Sequence, residues 1–185
     1  MRALAALVVL AGLALGVPSA EAIDVGQPAP DFTLNATTGG KVSLSQFRGK
    51  QPVLIEFYGG DFAPVCSDNL STRKADYAKF QELGIQILGI SANNSFSQKA
   101  FADSLKLPYP LLSDLTLDAT KRYGVLYGST SGKLDYPQLV GRMAKRAFFL
   151  VDRNGIVRAR WIGEDLAVFP SVELLKVARE LAAKR

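Results

Sequence analysis

Residues 53–67 of the chain read VLIEFYGGDFAPVCS. The first six are apolar apart from Glu56, which is typical of a strand buried in a sheet. The pair Gly59-Gly60 then indicates a turn. Apolar residues recur near helical spacing from Ser67 to Leu83, and Gly84 is suited to end a helix. The segment predicts a buried strand, a turn and a helix, with Cys66 in the first helical turn.

The rest of the chain alternates between strand-like and helix-like periodicity. Further elements are predicted as a hairpin of residues 32–34 and 42–44, strands at 85–90 and 109–112, helices around 97–105 and at 117–123, a hairpin of 147–151 and 156–161 about the turn 152–155, and a terminal helix from Ser171. A strand-helix alternation that closes with a hairpin and a helix predicts one α/β domain of thioredoxin-like fold. We expect a central mixed β-sheet flanked by helices on both faces.

The composition excludes several kinds of chemistry. The 185 residues include one cysteine and no histidine. Without histidine there is no Ser-His-Asp or Cys-His pair and no imidazole metal site. One cysteine excludes an internal disulfide and a CxxC pair. Of the carboxylates Asp114 and Asp118, one is expected to start a helix rather than to bind metal. We expect neither metal nor cofactor, and redox chemistry only through Cys66 or a partner's thiol.

Residues 1–22 are predicted to be a signal peptide. Arg2 is followed by the apolar run Ala3–Val17 and by the small-x-small site Ala20-Glu21-Ala22. The run is shorter than the roughly 20 residues of a membrane-spanning helix. We therefore expect cleavage near Ala22, export to the periplasm or the medium, a domain at 23–185 and no stable membrane insertion. An uncleaved anchor is the alternative.

The charge of the chain does not favour a nucleic-acid partner. Lys and Arg number 22 against 17 Asp and Glu, a net charge of +5. This excess is spread along the chain, except at Arg142, Lys145 and Arg146. A nucleic-acid interface normally concentrates its positive charge in a patch or stripe. We expect no nucleic-acid binding.

Cys66 is a candidate nucleophile. In the first turn of a helix, unpaired N–H groups and the helix dipole favour thiolate over thiol. The alternative is an inert cysteine that fills apolar space. Its position beyond Gly59-Gly60, at the carboxyl end of a sheet strand, is where open α/β folds bind their ligands. Position therefore favours a functional role.

Several segments, in their order and spacing, resemble a peroxiredoxin of the AhpC/TSA family, closest to the bacterioferritin-comigratory and one-cysteine types. The resemblance runs from Gly26 to about Ile162. Its segments are GQPAPDFTL (26–34), FRGK (47–50), 57–66, LGIS (88–91), LPYPLLSD (107–114), YGV (123–125) and RAFFLVD (146–152).

This resemblance implies a thiol peroxidase. The Cys66 thiolate would attack hydrogen peroxide or an organic hydroperoxide, while Arg146 would stabilise the thiolate and orient the peroxide. The loop residues Gly59, Ala63, Pro64 and Val65 would bind the substrate. An external thiol of thioredoxin, glutaredoxin or small-molecule type would reduce the oxidised cysteine, and a homodimer is left open.

The loop departs from the family pattern Pro-x-x-x-Thr-x-x-Cys. Gly59 replaces the proline and Ala63 the threonine, and Asn69 stands where a glutamate is usual. Alanine makes no hydrogen bond, and losing one transition-state contact lowers a rate by roughly a hundredfold or more. Gly59 also makes the loop more flexible than proline would. The resemblance and these departures together predict a divergent, slower peroxidase.

Alternatives exist for the arginine and for the function. Arg146 is either the residue that reaches Cys66 or a solvated arginine at a strand edge. Thioredoxin-like exchangers carry a cis-proline at its position and a cysteine at that of Ala63, so the sequence favours peroxide over disulfide chemistry. Two other functions stay open: a non-catalytic binding module of thioredoxin fold, and a redox sensor or carrier that forms mixed disulfides through Cys66.

Overall fold

A single mixed sheet forms the centre of the protein. The computed structural model describes residues 22–128, 137–163 and 171–183. The predicted signal peptide lies almost wholly outside these residues and stays a prediction. The sheet has the order β2-β1-β5-β4-β3-β6-β7. Its strands are β1 (Thr33–Ala36), β2 (Lys41–Ser43), β3 (Val53–Phe57), β4 (Gln86–Ser91), β5 (Leu111–Ser113), β6 (Ala147–Val151) and β7 (Val157–Ile162).

The pairing of the strands confirms the mixed α/β class. β3 pairs in parallel with β4 and antiparallel with β6. β4 continues in parallel to β5, whereas β1 is antiparallel to both β2 and β5. β6 and β7 form the predicted antiparallel hairpin. The interior strand β3 is buried along its whole length.

Helices cover both faces of this sheet. They are α1 (Pro64–Ala75), α2 (Tyr77–Glu82), α3 (Ser95–Leu105), α4 (Asp118–Arg122) and α5 (Ser171–Ala183). Side chains of α4 pack with one face of β3, through Val53, Ile55 and Phe57. Side chains of the other four pack with the opposite face. Within the described ranges, no helix combines the length and apolar character needed to cross a membrane.

The helix predicted for residues 67–83 is two helices. α1 begins at Pro64, because proline in a first helical turn gives up no hydrogen bond. It ends at Asp76, whose φ of −99° and ψ of 6° interrupt the helix before α2. The earlier start places Cys66 third in α1, still in the first turn, as predicted.

A buried carboxylate starts α4, as expected of one of the two aspartates. Asp114 is fully buried and accepts hydrogen bonds from the Ala119 N–H (3.1 Å), the Thr120 N–H (2.7 Å) and the Thr120 hydroxyl (2.7 Å). It thereby satisfies N–H groups that a helix start leaves without acceptors. No group of three metal-ligating side chains occurs in the described part of the chain.

We predict that Asp114→Ala lowers the free energy of unfolding by about 3 kcal/mol, since three buried donors lose their acceptor. Asp118→Ala is the matched control, because Asp118 is exposed and its loss should cost under about 1 kcal/mol. Urea denaturation followed by circular dichroism measures both. Equal losses for the two variants would contradict this role for Asp114.

Candidate active site

A hydrogen-bonded loop links β3 to α1 and positions Cys66. Asp61 accepts hydrogen bonds from the Tyr58 hydroxyl (2.9 Å) and the Ser97 hydroxyl (2.6 Å). Its own N–H donates to Asn93 Oδ1 at 3.3 Å. Burial raises the pKa of Asp61, and these two hydroxyls oppose the rise. The loop is therefore tied to Tyr58, the residue after β3, and to α3, which limits the flexibility expected from Gly59.

Phe62 closes this loop with an unusual backbone conformation. Its φ of 60° lies in the left-handed region, which costs a non-glycine residue about 1–2 kcal/mol. Its ring packs against Phe101 of α3, with 5.0 Å between centroids. The contact with α3 helps hold the strained residue, and the chain then enters α1 at Pro64.

The sulfur of Cys66 lies at the inner side of this helix start. The residue is only 8 % exposed and belongs to the buried apolar cluster that also contains Leu70 and Phe148. Burial, the largest influence, raises the pKa of the thiol above its ordinary value. The backbone N–H groups of Gly60 and Gly59 interact with the sulfur and lower the pKa in part. Helix position alone predicted a favoured thiolate, and that prediction is wrong here because desolvation outweighs it.

Arg146 contributes a positive charge to the same site. It directly precedes β6 and is half-buried. Its charge lowers the pKa of Cys66. The guanidinium packs over Gly163, where a Cβ atom would lie 2.7 Å from Arg146 Nη2. Glycine at position 163 leaves room for this placement.

The four predicted substrate-binding residues surround the helix start. Gly59, Ala63 and Val65 are half-buried and Pro64 is exposed. Ala63 is the N-cap of α1 and offers no side-chain acceptor. Among the described residues, the N–H groups of Val65 and Cys66 consequently have no hydrogen-bond acceptor. These two donors are available to an oxygen atom of a ligand.

Asn69 stands at the position of the family glutamate but does not supply the charge of a carboxylate. It is buried, and its Nδ2 donates to the Val65 carbonyl at 2.8 Å. The side chain thus stabilises the first turns of α1 from within the helix. It adds no negative charge beside Cys66.

Some residues that contribute to the site were not identified from the sequence. The Gly60 N–H acts through the backbone, which residue identity does not reveal. Asp61 carried a signal, because aspartate commonly forms local hydrogen bonds in turns. Met143 Sδ lies 3.4 Å from the position of a Cβ atom at Gly59, although 84 residues separate them in sequence. No local pattern indicates that contact.

Comparison with known proteins gives consistent results. The model of the AhpC/TSA family matches residues 25–160. Peroxiredoxin Q, chloroplastic, of Suaeda salsa is 38 % identical over 136 residues, which are 74 % of this chain and 58 % of that protein. Peroxiredoxin Q, chloroplastic, of Sedum lineare is 38 % identical over 133 residues, 72 % of this chain and 66 % of that protein. The chain thus spans less than two thirds of either relative.

Solved structures agree with the fold. A reduced 2-Cys peroxiredoxin of Plasmodium vivax superposes with a TM-score of 0.74 at 27 % identity, covering 86 % of this chain and 97 % of that one. Peroxidoxin BcpB of Mycobacterium tuberculosis gives a TM-score of 0.69 at 27 % identity, covering 87 % and 97 %.

We predict that the alkylation rate of Cys66 increases about tenfold or more from pH 7 to pH 9 and reaches no plateau below about pH 9. The reason is that the raised pKa keeps most of the thiol protonated at neutral pH. Iodoacetamide labelling followed by mass spectrometry measures the rate. A plateau near neutral pH would show instead that the thiolate predominates there.

Proposed function

The chain belongs to the AhpC/TSA family, and from that membership we propose that it is a thiol-dependent peroxidase with Cys66 as its nucleophile. The observation that carries the proposal is that three features meet at the start of α1, around Cys66. These are the Arg146 charge, the Gly59 and Gly60 N–H groups, and the unused N–H groups of Val65 and Cys66. Together they stabilise negative charge on sulfur and on an attacked oxygen.

The proposed reaction transfers one oxygen atom to the cysteine. The thiolate attacks the near oxygen of a hydroperoxide, the S–O bond forms and the O–O bond breaks. Sulfur is oxidised to sulfenic acid, and the second oxygen leaves as hydroxide or alkoxide and takes a proton from water. Arg146 stabilises the charge that moves from sulfur to the leaving oxygen.

An external thiol completes the cycle. The 185 residues contain no second cysteine to resolve the sulfenic acid. A first external thiol condenses with the sulfenic acid to give a mixed disulfide and water. A second attacks that disulfide, which restores Cys66 and leaves the external thiols as a disulfide. The reductant is therefore a monothiol used twice or a dithiol protein.

Two features support a slow peroxidase at neutral pH. The raised pKa of Cys66 limits the thiolate available. Ala63 offers no hydroxyl at the helix start. Both act on the chemical step and leave the fold intact.

The proposal predicts a sulfenic acid at Cys66 after stoichiometric hydrogen peroxide, trapped by dimedone and located by mass spectrometry. Cys66→Ser is the control and should give no adduct. An absence of adduct at pH 8.5, where more thiolate is present, would exclude peroxide chemistry and favour a non-catalytic binding module.

We further predict that Ala63→Thr increases the rate of peroxide reduction about tenfold or more, because a hydroxyl is added beside Cys66. Threonine at an N-cap also accepts a hydrogen bond from the first turn and should stabilise the protein by about 1 kcal/mol. Ala63→Val has the same shape without the hydroxyl and should gain neither. The measurements are stopped-flow peroxide consumption and thermal unfolding, and equal rates for both variants would contradict the prediction.

A further inference from the structure

A buried ion pair lies beneath the reactive helix and has no part in the mechanism above. Glu56 of β3 and Arg73 of α1 are both 0 % exposed, with 4.0 Å between Glu56 Oε2 and Arg73 Nε. Arg73 Nη1 donates to the Ser171 hydroxyl of α5 at 2.7 Å. Neither carboxylate oxygen of Glu56 accepts a hydrogen bond from a described residue. The carboxyl group is thus incompletely satisfied in the centre of the protein.

Strand register places this carboxyl on the same face as the reactive site. Glu56 pairs with Phe148 in β6, and Arg146 is two residues before Phe148. The Gly163 N–H donates to the Arg146 carbonyl at 2.8 Å, which continues the β6–β7 ladder by one residue. Because side chains two apart in extended backbone share a face, Arg146 extends from the face that carries Glu56. Cys66 and Arg73 are both on the buried side of α1, which covers that face.

The position does not require an acidic residue for packing. Leu54 is on the same face of β3 and Phe148 is beside it, so an apolar side chain is compatible with the surroundings. A buried ion pair is often no more stable than apolar residues of similar size. The ion pair therefore calls for an explanation other than stability.

Several charged or titratable groups act on Glu56 or its partner. Burial raises the pKa of Glu56 to about 7, and the charges of Arg73 and Arg146 oppose this larger effect. Glu56 in turn raises the pKa of Cys66, whereas Arg146 lowers it. Two other groups take part indirectly. Burial, and after it the charge of Glu56, raise the pKa of Tyr109, which stays neutral. The charge of Asp76 raises the pKa of Arg73.

We propose that Glu56 is a positioning residue that competes with the Cys66 thiolate for the charge of Arg146, so that proton loss from this buried carboxyl makes the cysteine less reactive. When Glu56 is protonated, the thiolate is the only negative charge of the two groups, and Arg146 stabilises it. When Glu56 is ionised, Arg146 is shared between two anions that also repel each other. The two groups therefore titrate as a coupled pair.

This coupling has a signature in the unmodified protein. Well below the pKa of an isolated thiol, the logarithm of its alkylation rate increases with slope one against pH. For Cys66 the slope should fall below one around pH 7, where Glu56 ionises and makes the thiol harder to deprotonate. The slope should then return towards one. A single-proton curve with slope one from pH 5.5 to 8.5 would overturn the proposal without any variant.

Glu56→Gln tests the same idea by removing the charge. Its alkylation rate should coincide with that of the unmodified protein below about pH 6, where Glu56 is protonated. Above about pH 8 it should be about three- to tenfold faster, the size expected for one charge at close range in a protein. Glu56→Asp keeps the charge and should restore the shallow region. Glu173→Gln removes an exposed charge on α5 and should change nothing.

The double variant Glu56→Gln with Arg73→Met covers the case in which an unpaired buried Arg73 prevents folding. It should show the same acceleration above pH 8 as the single variant. If Glu56→Gln or this double variant folds and reproduces the unmodified profile, Glu56 is only structural and the proposal is wrong.

The inference rests on the proposed function only in taking Cys66 as the reactive group. Because alkylation is measured without peroxide, the two ideas fail separately. A shifted alkylation profile with no sulfenic acid after peroxide would support the coupling and exclude the peroxidase. A sulfenic acid with an unshifted alkylation profile would support the peroxidase and exclude the coupling.

Discussion

The antiparallel pairing of β3 with β6 is the constraint on which the site depends. It brings residues more than 80 positions apart into register, with Phe57 opposite Ala147. Arg146 therefore leaves the sheet beside the point where the chain turns from β3 towards α1. Because β3 is buried on both faces and paired on both edges, a one-residue shift of register would exchange side chains between its two buried faces and disrupt the packing of both.

Reactivity at Cys66 is set by a balance between desolvation and local charge. Burial raises the pKa of the thiol, and two backbone N–H groups together with Arg146 oppose it. Glu56, like burial, raises the pKa of the thiol. Its carboxylate forms an ion pair with Arg73, which lies on the buried side of α1. Burial raises the pKa of Glu56 to about 7, and in our proposal the ionisation of this carboxyl group is coupled to that of the thiol. The proposed reaction with peroxide is therefore expected to be faster in alkaline than in neutral solution.

The departures from the family pattern have unequal consequences in the structure. Gly59 loosens the loop less than expected, because Asp61 is hydrogen-bonded to Tyr58 and to Ser97 of α3, and Met143 packs against Gly59. No other side chain compensates for the hydroxyl that Ala63 lacks, since the start of α1 has no side-chain acceptor. The loss of the hydroxyl is therefore the departure that we expect to affect the rate of the proposed reaction most directly.

The sequence alone determined the mixed α/β class, the main strands and the position of Cys66 in a first helical turn, because apolar periodicity and turn residues act over short distances. It also indicated Arg146, through resemblance rather than geometry. Tertiary structure alone decided the break at Asp76, the contact of Met143 with Gly59 and the ion pair of Glu56 with Arg73. It also reversed the expected direction of the Cys66 pKa. The helix dipole can be inferred from local sequence, whereas desolvation depends on every element packed around the sulfur.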